Sequence, residues 1–171
     1  MKIQIIGYSG SGKSTLAKKL GEIYNAPVLY LDNVKFYGNW QERTVEEQTK
    51  IVKNFLKSNQ NWVIDGNYSK ICPERFELSE MTIYLKFNRI KCFWSAYTRF
   101  LKHKDSPRES CACNDKFDRT FRRWILFDGR KKSVKQKHIV NLNKTNGKKI
   151  ILKNRRQVKK FVENLLNKKN K

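Results

Sequence analysis

No stretch of this chain approaches the eighteen or more apolar residues that a membrane-crossing helix needs. A membrane span is therefore not expected. Proline, histidine and methionine are scarce as well, at three, two and two in 171 residues. There is no internal repeat and no linker rich in Pro, Gly or Ser, so one domain over 1–171 is expected. Met1-Lys2 runs straight into a short apolar segment and then a glycine-rich loop. That opening lacks the charged, apolar and small-residue regions of a signal peptide, and a cytoplasmic location is the expectation. The four cysteines (Cys72, Cys92, Cys111 and Cys113) do not form a disulfide framework in such a setting. Cys111-Ala112-Cys113, even with His103 nearby, is one pair set too close for a zinc site, so ordinary thiols are expected.

Acidic residues are the scarce charge. The chain has 15 Asp+Glu against 38 Lys+Arg, a formal net charge of +23. Residues 1–85 hold 11 basic and 9 acidic residues, whereas 86–171 hold 27 and 6. The basic half admits two readings, a polyanion-binding face or a lysine-rich, solvated surface. Dispersed pairs such as Lys131-Lys132, Lys148-Lys149 and Lys168-Lys169 favour the second for the lysines. An apolar content of 39% and an aromatic content of 12% suffice for a core, so the charge does not imply disorder.

Strand-like and helical patterns alternate, as in an α/β fold with a parallel sheet. Ile3–Ile6 reads as the first strand and Lys13–Tyr24 as the first helix. Pro27–Leu31 reads as a second strand ending in Asp32. Thr44-Val45-Glu46-Glu47 is a capping box opening a helix with Ile51, Val52, Phe55 and Leu56 inward. Trp62–Ile64 is a third strand ending in Asp65, and Thr82–Phe87 a fourth. Ile90, Phe93, Trp94, Tyr97 and Leu101 recur at helical spacing, as do Phe117, Phe121, Trp124 and Ile125. Lys149–Leu152 is the last strand, and Asn154 caps a final helix presenting Val158, Phe161, Val162, Leu165 and Leu166 to the core, with a frayed tail from Asn167.

The sharpest motif is Gly7-Tyr8-Ser9-Gly10-Ser11-Gly12-Lys13-Ser14, which satisfies G-x-x-x-x-G-K-[ST] between a strand and a helix. Its glycines let the backbone wrap a phosphate chain and aim successive N–H groups at oxygens. The helix that follows adds partial positive charge. Lys13 is placed to reach β- and γ-phosphates, the Ser14 hydroxyl to ligate Mg²⁺, and Thr15 to assist at the α-phosphate. The whole loop (Gly7, Ser9, Gly10, Ser11, Gly12, Lys13, Ser14, Thr15) is thus a candidate ATP site.

In open α/β sheets ligands bind at the carboxyl ends of the strands. Asp65, after an apolar strand, has the form of a Walker B aspartate that holds Mg²⁺ or its water. Asp32 suits the acceptor side, as base or orienter for an attacking oxygen. The structural alternative for each is a helix N-cap.

With these residues the chain resembles the adenylate-kinase-related group often labelled topology modulation proteins. The likeness rests on Gly7–Thr15, on Leu31-Asp32 with Trp40, on Asp65-Gly66-Asn67-Tyr68, and on the aromatic and arginine-rich segment 119–130. It implies a five-stranded parallel sheet in the order 2-3-1-4-5 with flanking helices, that is, a P-loop nucleoside or nucleotide kinase-like fold. It also implies an arginine-bearing helical lid, here about 101–118, and adenine resting between lid and Lys153-Asn154-Arg155, which makes Asn154 a nucleotide-binding candidate. Adenylate kinases follow the Asp-Gly with an aromatic, Pro and Arg. This chain has Asn67-Tyr68 there, with Arg75 as a candidate substitute.

Arg99, Arg108, Arg119, Arg122, Arg123 and Arg130 flank or occupy the lid region. Arginine suits phosphate because its fixed fork pairs bidentately and keeps its charge. Arg119 and Arg123 share one helix face at a spacing of four and are the catalytic candidates; a solvated face is the alternative. The interleaved aromatics are also a nucleic-acid pattern, but their helical periodicity is explained first by core packing. The expected function is transfer of the ATP γ-phosphoryl group to a small acceptor, a nucleotide or nucleoside, with Mg²⁺. The alternative is a nucleotide-regulated DNA- or RNA-binding protein using the basic C-terminal half.

Overall fold

The computed structural model describes residues 1–169. Five strands form one parallel sheet: β1 (Lys2–Gly7), β2 (Val28–Tyr30), β3 (Trp62–Asp65), β4 (Met81–Leu85) and β5 (Lys148–Leu152). Their order is β2-β3-β1-β4-β5, as expected. β1, β3 and β4 are buried almost throughout, as strands covered on both faces must be. Alternate residues of β3 go to opposite faces: Val63 joins the cluster of Ile3, Ile5, Leu16 and Ile83, whereas Trp62 and Ile64 join Leu31, Val34 and Val52. The β1–β3 register sets Ile5 beside Asp65, which brings that carboxylate to the sheet's carboxyl edge next to the glycine-rich loop. β5 is an edge strand whose exposed Lys148 and Lys149 oppose further pairing.

The helices are α1 (Lys13–Tyr24), α2 (Leu31–Lys35), α3 (Val45–Ser58), α4 (Arg75–Leu78), α5 (Arg89–His103), α6 (Arg119–Leu126), α7 (Lys132–Asn143) and α8 (Arg155–Lys169). The capping box at α3 is formed in both directions, Thr44 Oγ1 accepting from Glu47 N and Glu47 Oε2 from Thr44 N. Among the described residues no helix is long and apolar enough to cross a membrane.

Several expectations need correction. β2 stops at Tyr30 and α2 begins at Leu31, so Asp32 lies in the first turn of a short helix and does not end a strand. On α5, Ile90, Trp94 and Leu101 are 59%, 58% and 52% exposed; Cys92 and Ala96 form the buried side. The half-buried Phe93, Tyr97 and Phe100 meet Phe117, which in turn touches Phe121, with centroids 5.1–6.4 Å apart. On α8 Leu166 is exposed. α8 continues as helix through Asn167 to Lys169, and the remainder of the tail expected to fray, Asn170 and Lys171, lies outside the described residues.

Arg75 does not substitute for an acceptor-side arginine. It is fully buried. Its Nε donates to Gln4 Oε1 at 2.9 Å, Nη1 to the carbonyls of Ile71 and Cys72, and Nη2 to Tyr68 O at 3.0 Å. Gln4 passes the connection on, donating to Ile64 O and Gly66 O. The four acceptors of Arg75 are neutral, and burial lowers its pKa to about 10, so it stays charged at neutral pH. Arg75→Ala removes the donor of Gln4 Oε1 and Ile71 O and a second donor of Tyr68 O and Cys72 O, and should lower unfolding stability by about 3 kcal/mol in urea titrations.

His138 of α7 is buried against Tyr8 and Tyr84, with ring centroids 5.2 and 5.1 Å away. Burial, reinforced by the charges of Lys13 and Arg130, pushes its pKa down to about 4. The unfolded chain therefore binds the proton first as pH falls. His138 contributes stability above its unfolded pKa of about 6.5 that is lost between there and about 4, some ~3 kcal/mol at most. Wild type minus His138→Gln in chemical denaturation at pH 7 and pH 4.5 should show that difference.

Candidate active site

The loop after β1 is shaped by its glycines and by what lies behind it. Gly10 has φ +76°, and a Cβ there would sit 2.2 Å from Cys92 O in the first turn of α5. Gly12, at φ 87°, is the N-cap of α1 and brings no capping side chain. The first turn of α1 also holds no acidic residue, so its N–H groups are left for an anion. Ser11 N donates to Tyr8 O at 3.1 Å, and Lys13 Nζ folds back to the same carbonyl at 3.2 Å.

Asn67 anchors the loop where it leaves the sheet. Its Oδ1 accepts from Gly7 N and its Nδ2 donates to Gly7 O, both at 2.8 Å. Asn67 stands in the Asp65-Gly66-Asn67-Tyr68 motif, whose residues do not foretell this clamp. A side-chain amide pairing with one residue's N–H and C=O leaves no local signal, because the partners are sixty residues apart.

Ser14 Oγ donates to Asp65 Oδ2 at 2.6 Å, so the hydroxyl of α1 and the carboxylate ending β3 are in direct contact. Asp65 is 6% exposed, and its Oδ1 has no hydrogen-bond partner. Burial raises its pKa; the Lys13 charge and the Ser14 bond oppose that, and the Asp32 charge adds to it. Ser11 Oγ is likewise buried and unpartnered. These oxygens fit Mg²⁺: a hard carboxylate with a spare oxygen stands beside a hydroxyl at the mouth of a phosphate loop. Among the described residues no group of three or more His, Cys, Asp or Glu could hold a metal. Mg²⁺ taken up with phosphates and water needs none, since it uses one or two protein oxygens.

Asp32 stands across from Asp65 at the β2 side. Its Oδ1 accepts from Tyr68 OH at 2.7 Å. Burial first, then the Asp32 charge, raises the Tyr68 pKa, so the phenol stays a donor. Asp32 thus has one oxygen fixed by Tyr68.

The segment between α5 and α6 lies against this side. Asn33 of α2 donates to Glu109 O at 2.8 Å and accepts from Ala112 N at 2.7 Å. Glu109 pairs with Lys18 at 2.8 Å. Trp40 N donates to Cys113 Sγ at 3.2 Å and Trp40 Nε1 to Asn114 O at 3.1 Å. Inside the segment Asp115, 2% exposed at its side chain, takes Arg99 Nε at 2.7 Å and Arg108 Nε at 3.2 Å. The Arg108 charge reaches Asp65, and the Asp32 charge reaches Arg99.

The arginines chosen from helical spacing both lie on α6. Arg119 is exposed, and Arg123 is exposed and paired with Asp128 at 3.0 Å. Arg130 lies over the Tyr8 ring at 3.6 Å and donates to Phe87 O and Ile125 O. Asn154, following β5, caps α8 by accepting from Gln157 N at 2.9 Å. Thr15 is exposed in the first turn of α1.

No protein-family model matches the chain, and no curated protein matches it in sequence. Solved structures of similar fold exist. Shikimate kinase from Bacteroides thetaiotaomicron aligns at TM-score 0.55 and 18% identity, over 99% of this chain and 98% of that one. Deoxyadenosine kinase from M. mycoides aligns at 0.53 and 14%, over 99% of each chain. Shikimate kinase from Aquifex aeolicus aligns at 0.51 and 16%, over 99% and 96%. The chain therefore has the fold of the P-loop kinases.

The Asp65 carboxyl is buried, with one oxygen bonded to Ser14 and the other unpartnered. Its raised pKa means that ionising it above the ordinary carboxylate range costs stability in the folded chain. Asp65→Asn should raise the ligand-free melting temperature at pH 7 while abolishing stabilisation by Mg-ATP, both read in one thermal-shift series.

Proposed function

We propose that the chain is an ATP-dependent phosphotransferase that moves the γ-phosphoryl group to a small acceptor, a nucleotide or nucleoside. The observation that carries this reading is the Ser14–Asp65 contact of 2.6 Å beside a complete phosphate loop, with the second Asp65 oxygen unpartnered. The solved structures of similar fold are named as kinases of shikimate and of deoxyadenosine, which agrees with a small hydroxyl-bearing acceptor. The motifs remain our ground for reading the chain as one of the topology modulation group.

In this reading the loop N–H groups from Ser9 to Ser14, Thr15 and the α1 N-terminus bind the phosphate chain. Lys13 leaves Tyr8 O and meets the β- and γ-phosphate oxygens. Mg²⁺, held by Ser14 and Asp65, offsets phosphate charge when bound. Asp32, steadied by Tyr68, accepts the proton of the attacking hydroxyl as the new P–O bond forms and ADP departs with the old one. The segment of about 101–118 acts as the lid, and Asn154 marks the adenine end. We assign charge stabilisation to Arg99 and Arg108 ahead of Arg119 and Arg123, because Asp115 holds the first two together and its segment is tied through Asn33 to the helix bearing Asp32.

ADP release from Mg-ATP tests the reading. Lys13→Ala should lower acceptor-dependent kcat by about 100-fold or more with unchanged secondary structure. Release stimulated only by DNA or RNA, or equal turnover in the variant, would overturn it.

A further inference from the structure

We propose that the outer face of α5 is a docking site for a partner protein, and that what docks there is an amphipathic helix with acidic flanks. This is independent of the phosphotransferase reading. Ile90, Trp94, Tyr97 and Leu101 follow one another at spacings of four, three and four, so they form one row along the helix. The row is about 16 Å long at 1.5 Å per residue. Ile90, Trp94 and Leu101 are 59%, 58% and 52% exposed. The half-buried Tyr97 meets Trp94 with ring centroids 6.0 Å apart. The core is served by other residues of the helix. Cys92 and Ala96 are buried behind Gly10, while Phe93, Tyr97 and Phe100 meet Phe117. A contiguous exposed row of large apolar side chains marks an interaction surface.

The charge beside the row has one sign. Residues 86–104 hold six Lys or Arg and no Asp or Glu. Arg99 turns inward to Asp115, and Arg89 donates to Leu126 O. Lys91 and Lys102 are exposed, eleven residues apart, and so share the side of the row away from α6. Neither is in an ion pair among the described residues. The acids that follow α5 are engaged: Asp105 lies 3.8 Å from Lys104, Glu109 pairs with Lys18, Asp115 holds Arg99 and Arg108, and Asp118 caps α6.

These features select among occupants. Apolar residues at alternating spacings of four and three fit the ridges of a second helix. Asp or Glu beside that helix's own apolar row would face Lys91 and Lys102, with Trp94 as the central anchor. A second copy of this chain would instead bring its lysine row against this one, at a net charge of +23 per chain. A nucleic-acid strand would stack on Trp94 and Tyr97 but make little use of Ile90 and Leu101. A bilayer surface imposes no such spacing.

The test titrates the full chain, at physiological salt, into a labelled synthetic helix of about 18 residues, roughly 27 Å long, with a leucine row flanked by glutamates. The same peptide with lysine for glutamate, a single-stranded oligonucleotide and phosphatidylserine vesicles are run beside it, and sedimentation reads self-association. The glutamate peptide should bind about tenfold or more tighter than the lysine peptide. Trp94→Ala and Leu101→Gln should each weaken it about fivefold or more with the melting temperature unchanged. Lys91→Glu with Lys102→Glu should remove the preference, whereas Lys160→Glu with Lys168→Glu on α8 should keep it. No binding of the glutamate peptide, or binding indifferent to Trp94→Ala and Leu101→Gln, overturns the proposal, the second because bulk charge alone would then explain it. Tighter Trp94-dependent binding of the oligonucleotide or the vesicles, or a dimer that the same variants dissolve, overturns it in favour of that occupant.

Discussion

One carboxylate sets the terms for the rest of this structure. Asp65 must sit at the carboxyl edge of a central strand, and there it is almost wholly out of water. A buried charge costs free energy unless it is paired and hydrogen-bonded. Lys13, Ser14 and the position of the phosphate loop answer that cost only in part, since one oxygen stays without a partner. The parallel register that sets Ile5 beside Asp65, the glycines that press the loop onto α5, and Asn67 clamping Gly7 all hold the partners in place. The buried carboxylate is thus one that a metal with phosphates would suit.

The second organising contact belongs to Asp115. It gathers one arginine from a helix and one from the irregular segment that follows, and so gives that segment a fixed core despite its few apolar residues. Asn33 then ties the same segment to the helix bearing Asp32. The groups assigned to acceptor activation and to charge stabilisation are therefore mechanically connected through neighbouring residues.

Much of this was legible in the sequence wherever the signal was local. The phosphate loop, the Asp65 strand and the capping box at Thr44 lie within runs of a few residues, and the structure has the strands and helices they define. The sheet order followed from resemblance, and the structure has it. Legibility failed where partners are distant or period is hidden. α2 has five residues, too few to show a helical repeat, so Asp32 read as a strand end. α7 buries His138 and Asn141 beside Leu142, and buried polar residues mask an apolar stripe. The spacing of Arg119 and Arg123 gave a shared face but no destination for it. Arg99 and Arg108 are joined by a carboxylate sixteen and seven residues away, which no periodicity announces.

The buried guanidinium of Arg75 has a consequence for tolerance of acid. A cation held by carboxylates is released when those carboxylates take up protons. Arg75 is held by an amide and three carbonyls, none of which titrates in that range. The knot joining β1, the end of β3 and the segment before α4 therefore has no acidic point of failure. Its weakness lies at the alkaline extreme, where the guanidinium itself, already eased toward deprotonation by burial, would surrender its charge. Acid alone therefore leaves this knot tied, and base is what would loosen it.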